Sequence, residues 1–216
     1  MDDALGDRMK LIEGIEANRI LLPQLPVQIR LDGRAFHNWT KGLKRPYDTA
    51  FSSLMIETTK FLVDKTNALI AYTQSDEISL TLYSDDIESE IFFNGRIQKL
   101  TSVIASMCTA FFNKNIPAYL PEKVNTLAFF DCRVWNVPTL EEAANGYVWR
   151  EMDASRNSLS MLAQSQFSHA QLQNKNSSQM HDMLMLEKGI NWNDCPSNQK
   201  RGVYVRRVRK ETAFTT

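Results

Sequence analysis

Residues 27–33, VQIRLDG, constrain the fold most, because they alternate strictly and then stop at an acidic residue. Val27, Ile29 and Leu31 lie on one side of an extended chain and polar residues on the other, which predicts a strand with one buried face. The strand ends at Asp32 and turns at once through a glycine. The sequence therefore places a carboxylate at the rim of a sheet, where functional groups are common.

A second acidic turn follows in residues 69–83, LIAYTQSDEISLTLY. This stretch reads as a strand, a short polar turn and another strand. The turn carries Asp76 and Glu77. The second strand alternates apolar and polar residues, so it also has one buried face.

Helical and strand patterns alternate along the chain. Helices are predicted over residues 4–20, 49–67, 94–115 and the region from 139 onward. Strand patterns occur in residues 124–138 and 202–209. The Asn- and Pro-rich residues 113–125 are expected to form a loop. Asp48 or Thr49 is the expected N-cap of the second helix. This order predicts an α+β fold, in which helices flank a mostly antiparallel sheet.

Charge and cysteine content limit the classes of protein to which this chain can belong. The 25 basic residues balance the 25 acidic ones, so any nucleic-acid binding must come from local clusters. The three cysteines have no zinc-ligand spacing, and free thiols are expected in a reducing compartment. No apolar leader or membrane-spanning run occurs in the sequence, so we expect a cytoplasmic protein with no membrane partner.

The two acidic turns predict a metal site. If their strands are neighbours, Asp32 and Asp76, with Glu77, converge on one edge of the sheet. Carboxylates with few histidines suit Mg²⁺ better than zinc. The carbonyl of Gly33 is a candidate further ligand, which would explain the glycine. The alternative is that both segments are ordinary turns.

Basic side chains near these turns are candidate phosphate ligands. Lys41, Lys44 and Arg45 follow the first acidic turn closely, and Arg96 with Lys99 share one face of a predicted helix. The alternatives are a solvated loop and an exposed helix face. With no P-loop or dinucleotide-binding motif in the sequence, the residues alone point to a two-metal nucleotide site.

Aromatic and basic side chains offer further contacts. Phe36, His37 and Trp39 either stack on a nucleobase or belong to the core. The C-terminal segment KRGVYVRRVRK is either an RNA contact or a solvated tail. Its candidate RNA-binding residues are Arg206, Arg207 and Arg209.

Five segments together resemble the tRNA-His guanylyltransferase family and its bacterial, archaeal and phage-like relatives. They are RLDGRAFHNWTKGLKRPYD, AYTQSDEISLTLY, FFDCRVWNVPT, WREMDASRNSLSMLAQ and EKGINWNDCP. The resemblance runs in order from about residue 8 to residue 205. It implies a polymerase-like palm domain over residues 1–140, with a helical region over residues 141–216 packed on it.

The resemblance also implies an activity. Such enzymes add nucleotides to the 5′ end of tRNA in the 3′-to-5′ direction. ATP first adenylylates the 5′-monophosphate, and the 3′-hydroxyl of GTP then attacks the activated end. The implied cofactor is Mg²⁺, as two ions; the implied substrates are tRNA, ATP and GTP; and the implied assembly is a homotetramer.

Site residues are implied position by position. Asp32 and Asp76 match the metal-binding carboxylates, with the carbonyl of Gly33 as a further ligand, and Glu77 completes the acidic motif. His37 and Asp48 match positions near the base. Positions for phosphates or the RNA are matched by Arg30, Lys44, Arg45, Ser75, Arg96, Lys99, Arg133 and Asn157.

Three departures from the family pattern concern tRNA recognition. Residues 155–158 read Ser-Arg-Asn-Ser where eukaryotic members have His-Ile-Asn-Asn, and Tyr47 replaces an Asn. The lysine of the distal helical motif has no counterpart near Gln173. These departures favour template-dependent repair of 5′-truncated tRNA over non-templated G addition to tRNA-His. A palm-fold nucleotide cyclase and a non-catalytic RNA-binding module remain as alternatives.

Overall fold

A five-stranded antiparallel sheet forms the centre of the computed structural model, which describes residues 3–86 and 88–208. The strands are β1 (Val27–Gly33), β2 (Ile70–Gln74), β3 (Glu77–Leu82), β4 (Phe130–Asn136) and β5 (Val203–Val205). Their order across the sheet is β4-β1-β3-β2-β5. The register pairs Asp32 with Glu77 on one side and with Asp131 on the other. These three acidic residues therefore share one face of the sheet.

Helices cover both faces of the sheet. The α-helices of the described residues are α1 (Ala4–Ala17), α2 (Phe36–Trp39), α3 (Thr49–Thr66), α4 (Ile97–Tyr119), α5 (Leu140–Gln166), α6 (His169–Leu172), α7 (Ser177–Lys188) and α8 (Ser197–Arg201). The side chains of α3 and α4 form the main core with one face of the sheet. On the other face, Gln28 donates a hydrogen bond to the carbonyl of Ala143 on α5 at 3.1 Å. The predicted α+β class, with helices flanking an antiparallel sheet, is confirmed.

The alternating residues of β1 bury the side chains that the sequence pattern predicts to be buried. Val27, Ile29 and Leu31 are fully buried beneath α3 and α4. Each such side chain contributes about 1.5–3 kcal/mol by leaving water, which makes the opposite register strongly unfavourable. Arg30 and Asp32 consequently lie on the α5 face.

The N-terminal end of α3 is capped as predicted. The Asp48 carboxylate accepts hydrogen bonds from the backbone N–H of Ala50 and Phe51 at 2.9 and 3.0 Å. These bonds satisfy donors that the helix itself leaves without partners. The cap fixes where the loop before α3 ends.

The loop predicted over residues 113–125 is partly wrong, because α4 continues to Tyr119 with Pro117 inside it. Proline removes one backbone hydrogen bond, which is tolerated this close to the helix end. The side chain of Asn113 also bonds to the N–H and carbonyl of Ala128, at 2.9 and 2.8 Å, and anchors the last turns of α4. β4 is likewise shorter than the predicted 124–138.

The C-terminal region is not wholly helical. Residues from α5 to α7, including Leu159, Leu162 and Leu184, form a small second core. After α8 the chain returns to the sheet, where β5 pairs with β2. None of the helices in the part of the chain that the structure describes is long and apolar enough to cross a bilayer.

The first helix, α1, has none of its side chains buried. Its apolar residues Leu5, Leu11, Ile12 and Ile15 are between 57 and 69 % exposed. An apolar stripe of this kind usually marks an interaction surface.

Candidate active site

A two-residue turn between β2 and β3 presents Asp76 beside Asp32. Gln74 and Glu77 are paired across the turn, and Glu77 also pairs with Asp32. Ser75 has a left-handed backbone, with φ of 49°, where glycine is preferred in such turns. Its hydroxyl donates to a carboxylate oxygen of Asp76 at 2.9 Å. A conformation that costs on the order of 1–3 kcal/mol is thus retained at the acidic turn.

Asp32 and Asp76 line one cavity of about 510 Å³ at this edge of the sheet. Burial raises the pKa of Asp76, the hydrogen bond from Ser75 lowers it, and the charges of Asp32 and Glu77 raise it further. The carboxylate is therefore held where its charge is poorly stabilised. A bound cation would relieve this cost.

The residues at this edge fit a magnesium ion. Mg²⁺ is commonly held by one or two carboxylates, together with waters and substrate phosphates. Asp32 and Asp76 supply two carboxylates, and no group of three His, Cys, Asp or Glu side chains suited to a metal occurs within residues 3–86 and 88–208. The donor set therefore suits a metal that the substrate helps to bind, rather than zinc in an all-protein cage.

The carboxylate of Glu77 is paired with an arginine of α5. Its side chain is about 10 % exposed and lies against Arg150 of α5. Nε of Arg150 donates to Oε1 of Glu77 at 2.7 Å, and Nη2 lies 2.7 Å from Oε2. Arg150 also donates to Asp153 at 3.0 Å. Glu77 thus joins β3 to α5.

The glycine at position 33 has a packing explanation. A Cβ at Gly33 would overlap the ring of Phe36. That ring belongs to the core, where it stacks on Trp39 with the ring centroids 5.2 Å apart. Phe36 and Trp39 are therefore core residues rather than base-stacking ones, and a ligand role is not needed to explain the glycine.

Lys44 and Arg45 line the cavity from the loop before α3. The backbone N–H of Lys44 donates to Oδ2 of Asp48 at 3.0 Å, while Oδ1 of Asp48 accepts the two helix-capping bonds. Three of the roughly four acceptor positions of this carboxylate are thus used by backbone. Asp48 orders the basic loop and has little capacity left for a base.

Two of the departures from the family pattern meet where the loop before α3 contacts α5. The hydroxyl of Tyr47 donates to the carbonyl of Ser158 at 2.6 Å. Nε1 of Trp192 donates to the hydroxyl of Ser158 at 3.0 Å. Burial raises the pKa of Tyr47, whose hydroxyl is in any case protonated, and a donor, at neutral pH. Asn157 lines the cavity beside them.

Several of the predicted site residues lie outside the cavity lining: Arg30, His37, Arg96, Lys99, Arg133, Arg206 and Arg207. Arg133 remains near Asp32, since its Nη2 lies 3.7 Å from a carboxylate oxygen of Asp32, and Arg30 is two residues before Asp32 on β1. His37 is exposed on α2.

Arg96 and Lys99 lie at the other end of the sheet. Arg96 forms a bridge with Ile20, and the N–H of Leu22 bonds to the side chain of Asn136, which pairs with Val27. Val27 is five residues before Asp32 on β1, or about 17 Å along the strand. A single chain does not bring these two cations to the carboxylates.

The predicted RNA-binding tail is only partly described. Arg207 donates to the side chain of Asn67, which follows α3, at 2.7 Å. It lies beyond the end of β2 that is remote from Asp76, because β5 runs antiparallel to β2. Arg209 lies outside the described residues.

Sequence reasoning missed Arg150, Trp149 and Gln74. Gln74 and Arg150 line the cavity, and Trp149 contacts Arg30 next to it. Trp149 and Arg150 are adjacent on α5, in a segment already noted for its resemblance. No local pattern indicates that they face β1 and β3.

The paired carboxylates, basic loop and antiparallel sheet are the arrangement expected of an enzyme that acts on nucleotides. Residues 6–138 match the family model described as tRNAHis guanylyltransferase. The chain therefore belongs to the tRNA-His guanylyltransferase family, as the sequence motifs indicated, and it is a nucleotidyltransferase.

Relatives cover nearly the whole chain. The structure of a bacterial tRNA-His guanylyltransferase-like protein in complex with ATP has a TM-score of 0.89 and 42 % identity, covering 94 % of this chain and 89 % of that chain. A GTP complex of a bacterial protein with the same description gives 0.82 and 37 %, covering 97 and 87 %. The tRNA-His guanylyltransferase of Saccharomyces cerevisiae is 29 % identical over 91 % of this chain and 88 % of its own length.

Proposed function

We propose that this chain adds nucleotides to the 5′ end of tRNA in the 3′-to-5′ direction, with ATP and GTP as substrates. The observation that carries the proposal is the cavity in which Asp32 and Asp76 lie with Lys44 and Arg45. Relatives that cover nearly the whole chain are described as complexes with ATP and with GTP.

The proposed reaction has two phosphoryl-transfer steps. An oxygen of the tRNA 5′-monophosphate attacks the α-phosphorus of ATP, a new P–O bond forms, and pyrophosphate leaves. The 3′-hydroxyl of GTP then attacks the activated 5′-phosphorus, loses its proton, and AMP leaves. Pyrophosphate is finally removed from the added nucleotide. Both transfers need neutralised phosphate charge and an aligned nucleophile, which is a phosphate oxygen in the first step and a hydroxyl in the second.

In this proposal Asp32 and Asp76 hold Mg²⁺, with the carbonyl of Gly33 as a further ligand. When bound, the metal lowers the pKa of the attacking hydroxyl and neutralises triphosphate charge. Lys44 and Arg45 bind the triphosphate. Asp48 orders their loop, and Ser75 fixes Asp76.

We further propose that the chain acts as a homotetramer. The exposed apolar stripe of α1 supports an assembly, because neighbouring exposed apolar side chains often mark a protein–protein interface. Arg96 lies beside the residues that follow α1, because it forms a bridge with Ile20, which is itself 58 % exposed. In an assembly through this surface, Arg96 and Lys99 would reach the phosphates bound by a neighbouring protomer. Such an assembly would explain how Arg96 and Lys99 could bind phosphates although they lie far from Asp32 and Asp76 within one chain.

Residues 1–140 are proposed as the catalytic palm, and residues 141–216 as the region that closes the cavity. Tyr47 supports this division, since it links the basic loop to α5 at Ser158. Because Tyr47 and Ser158 both depart from the eukaryotic pattern and contact each other, we propose that this pair is a feature of family members that carry out templated repair.

A cytoplasmic location is supported by three free thiols, Cys108, Cys132 and Cys195.

The test is an addition assay with Mg²⁺, ATP and labelled GTP on two 5′-monophosphorylated tRNAs. One is tRNA-His lacking its extra G, and the other is a tRNA without its first nucleotide. Faster addition to the truncated tRNA, dependent on the opposing base, is expected. Addition of one G to tRNA-His whatever base it faces would contradict templated repair. Consumption of GTP without any tRNA would indicate a cyclase instead.

A further inference from the structure

Three segments that are distant in sequence meet at Ser158, which is buried within α5. Its carbonyl accepts a hydrogen bond from the hydroxyl of Tyr47, in the loop before α3, at 2.6 Å. Its hydroxyl accepts one from Nε1 of Trp192, between α7 and α8, at 3.0 Å, and donates to the carbonyl of Ser155 at 3.0 Å. We call Tyr47, Ser158 and Trp192 together the Ser158 junction.

Trp192 is anchored in the C-terminal region. It packs against the small second core, which includes Leu184 of α7. Its ring meets that of His181 edge to face with the centroids 6.3 Å apart, and Nζ of Lys200 on α8 lies 5.4 Å from the ring centroid of Trp192. These contacts restrict the orientation of the indole. The C-terminal helices therefore direct its N–H at Ser158.

The other end of the junction holds the basic loop, which is the loop before α3 that carries Lys44 and Arg45. Tyr47 comes two residues after Arg45. In the part of the chain that the structure describes, the bond from Tyr47 is the one hydrogen bond that joins this loop to α5. The other bond near its cations, from the N–H of Lys44 to Asp48, is internal to the loop and the start of α3. The junction thus fixes the basic loop relative to the far wall of the cavity.

Trp192 lies outside the cavity lining, although the other two residues of the junction belong to it. A substitution of Trp192 can therefore affect a bound nucleotide through Ser158 and Tyr47, rather than through a lost contact with the ligand. A loop that is ordered before binding loses less conformational entropy when the ligand arrives. Anchoring of the basic loop should accordingly raise its affinity for phosphates.

We propose that Trp192 is a positioning residue for nucleotide binding, which acts through Ser158 and Tyr47 to hold the basic loop in place for the triphosphate. This rests on the proposed function, because it assumes that the basic loop binds the β- and γ-phosphates. The departures from the family pattern at Tyr47 and Ser158 then have a role in binding the nucleotide. The C-terminal region contributes to the nucleotide site through a residue that does not line it.

The test compares ATP with AMP, because these ligands differ in the β- and γ-phosphates. Both affinities are measured by calorimetry on the whole chain with Mg²⁺ present. Trp192→Phe keeps an aromatic ring and removes the N–H. This variant should bind ATP about three- to tenfold more weakly, the contribution of one hydrogen bond, and AMP within about twofold of the wild type. A general loss of native structure would weaken both ligands alike.

Tyr47→Phe tests the other end of the junction and removes a single oxygen atom. It should weaken ATP binding as Trp192→Phe does. The double variant should bind ATP within about twofold of the weaker single variant, because two residues that act through one shared partner do not have additive effects. Tyr204→Phe is the matched control, since its hydroxyl bonds to Glu151 at 3.0 Å and both residues lie outside the cavity lining. Its affinity for ATP should equal that of the wild type.

Three results would overturn the proposal: unchanged ATP affinity in both single variants, equal weakening of ATP and AMP, or a double variant whose effect is the product of the two single effects. If Trp192→Phe does not fold, Tyr47→Phe decides by the same comparison of ATP with AMP. None of these titrations contains RNA. A wild type that binds ATP and adds no nucleotide to tRNA would therefore contradict the proposed function alone.

Discussion

The guanidinium of Arg150 on α5 forms a two-point ion pair with the carboxylate of Glu77 on β3, with both N–O distances 2.7 Å. Both side chains are nearly buried, at 13 and 10 % exposure. Glu77 follows Asp76 directly, so this pair ties the acidic turn to the helix that forms the far wall of the cavity. Glu77 therefore supports the catalytic edge of the sheet without being free to bind a metal.

Removal of Arg150 should destabilise the protein strongly. Arg150→Met leaves a nearly buried carboxylate without its cation, a change that costs about 3–5 kcal/mol. The expected fall in Tm is roughly 6 to 20 °C for a chain of this size. Arg156→Met is the matched control, because Arg156 is 59 % exposed and its one ion pair within residues 3–86 and 88–208 is with Asp153. A Tm for Arg150→Met equal to that of the control would contradict the supporting role.

Removal of either central carboxylate should abolish nucleotide addition. Asp32→Asn or Asp76→Asn should lower kcat/KM at least about 10³-fold, or roughly 4 kcal/mol of transition-state stabilisation. Mg²⁺ should raise the Tm of the wild type and not of these variants, since binding to the native state stabilises it. Asp131→Asn is the control, because Asp131 faces Asp32 and lies outside the cavity lining. A loss of less than tenfold with the fold intact would refute the metal assignment.

Substitutions of Asp48 separate helix capping from recognition of the base. Asn keeps an oxygen for the two capping bonds but puts an NH₂ group in place of Oδ2, which accepts from Lys44, so Asp48→Asn should lower the stability by about 1 kcal/mol and Asp48→Ala by about 2 kcal/mol. Because three backbone donors already occupy the carboxylate, Asp48→Asn should keep the preference for GTP over ATP in the addition step. The measurement is kcat/KM for both nucleotides with the same tRNA. A lost preference for GTP in a folded Asp48→Asn variant would show that the carboxylate reads guanine.

Local sequence patterns predicted the elements that carry the carboxylates. The alternation of Val27, Ile29 and Leu31 fixes which face of β1 is buried, and this places Asp32 on the other face. The Ser75–Asp76 turn follows from polar residues between two apolar runs. Such signals are short-range, so a single sequence reveals them.

Contacts between distant segments could not be predicted in this way. Glu77 and Arg150 are 73 residues apart, and nothing local in either segment indicates that they pair. The same holds for Arg30 with Trp149, and for Tyr47 with Ser158. Asp48 was one of two predicted helix caps, with Thr49, but its third bond, from Lys44, depends on how the loop folds back.

The exposed stripe of α1 should carry the assembly. Ile12→Glu and Ile15→Glu place charges on apolar side chains that are 57 and 67 % exposed in one chain, so the monomer should keep its fold and Tm. If the stripe is buried between protomers, the charges must be desolvated there, and the tetramer should dissociate. Light scattering coupled to size exclusion measures the mass.

Lys10→Glu is the control for this experiment, because Lys10 lies on the same helix with its side chain 78 % exposed and outside the apolar stripe. Its mass should equal that of the wild type. Activity adds a second readout: if Arg96 and Lys99 serve a neighbouring protomer, dissociation should raise KM for the nucleotide although neither cation has been changed. A monomeric wild type, or an Ile15→Glu variant of unchanged mass, would refute an assembly through α1.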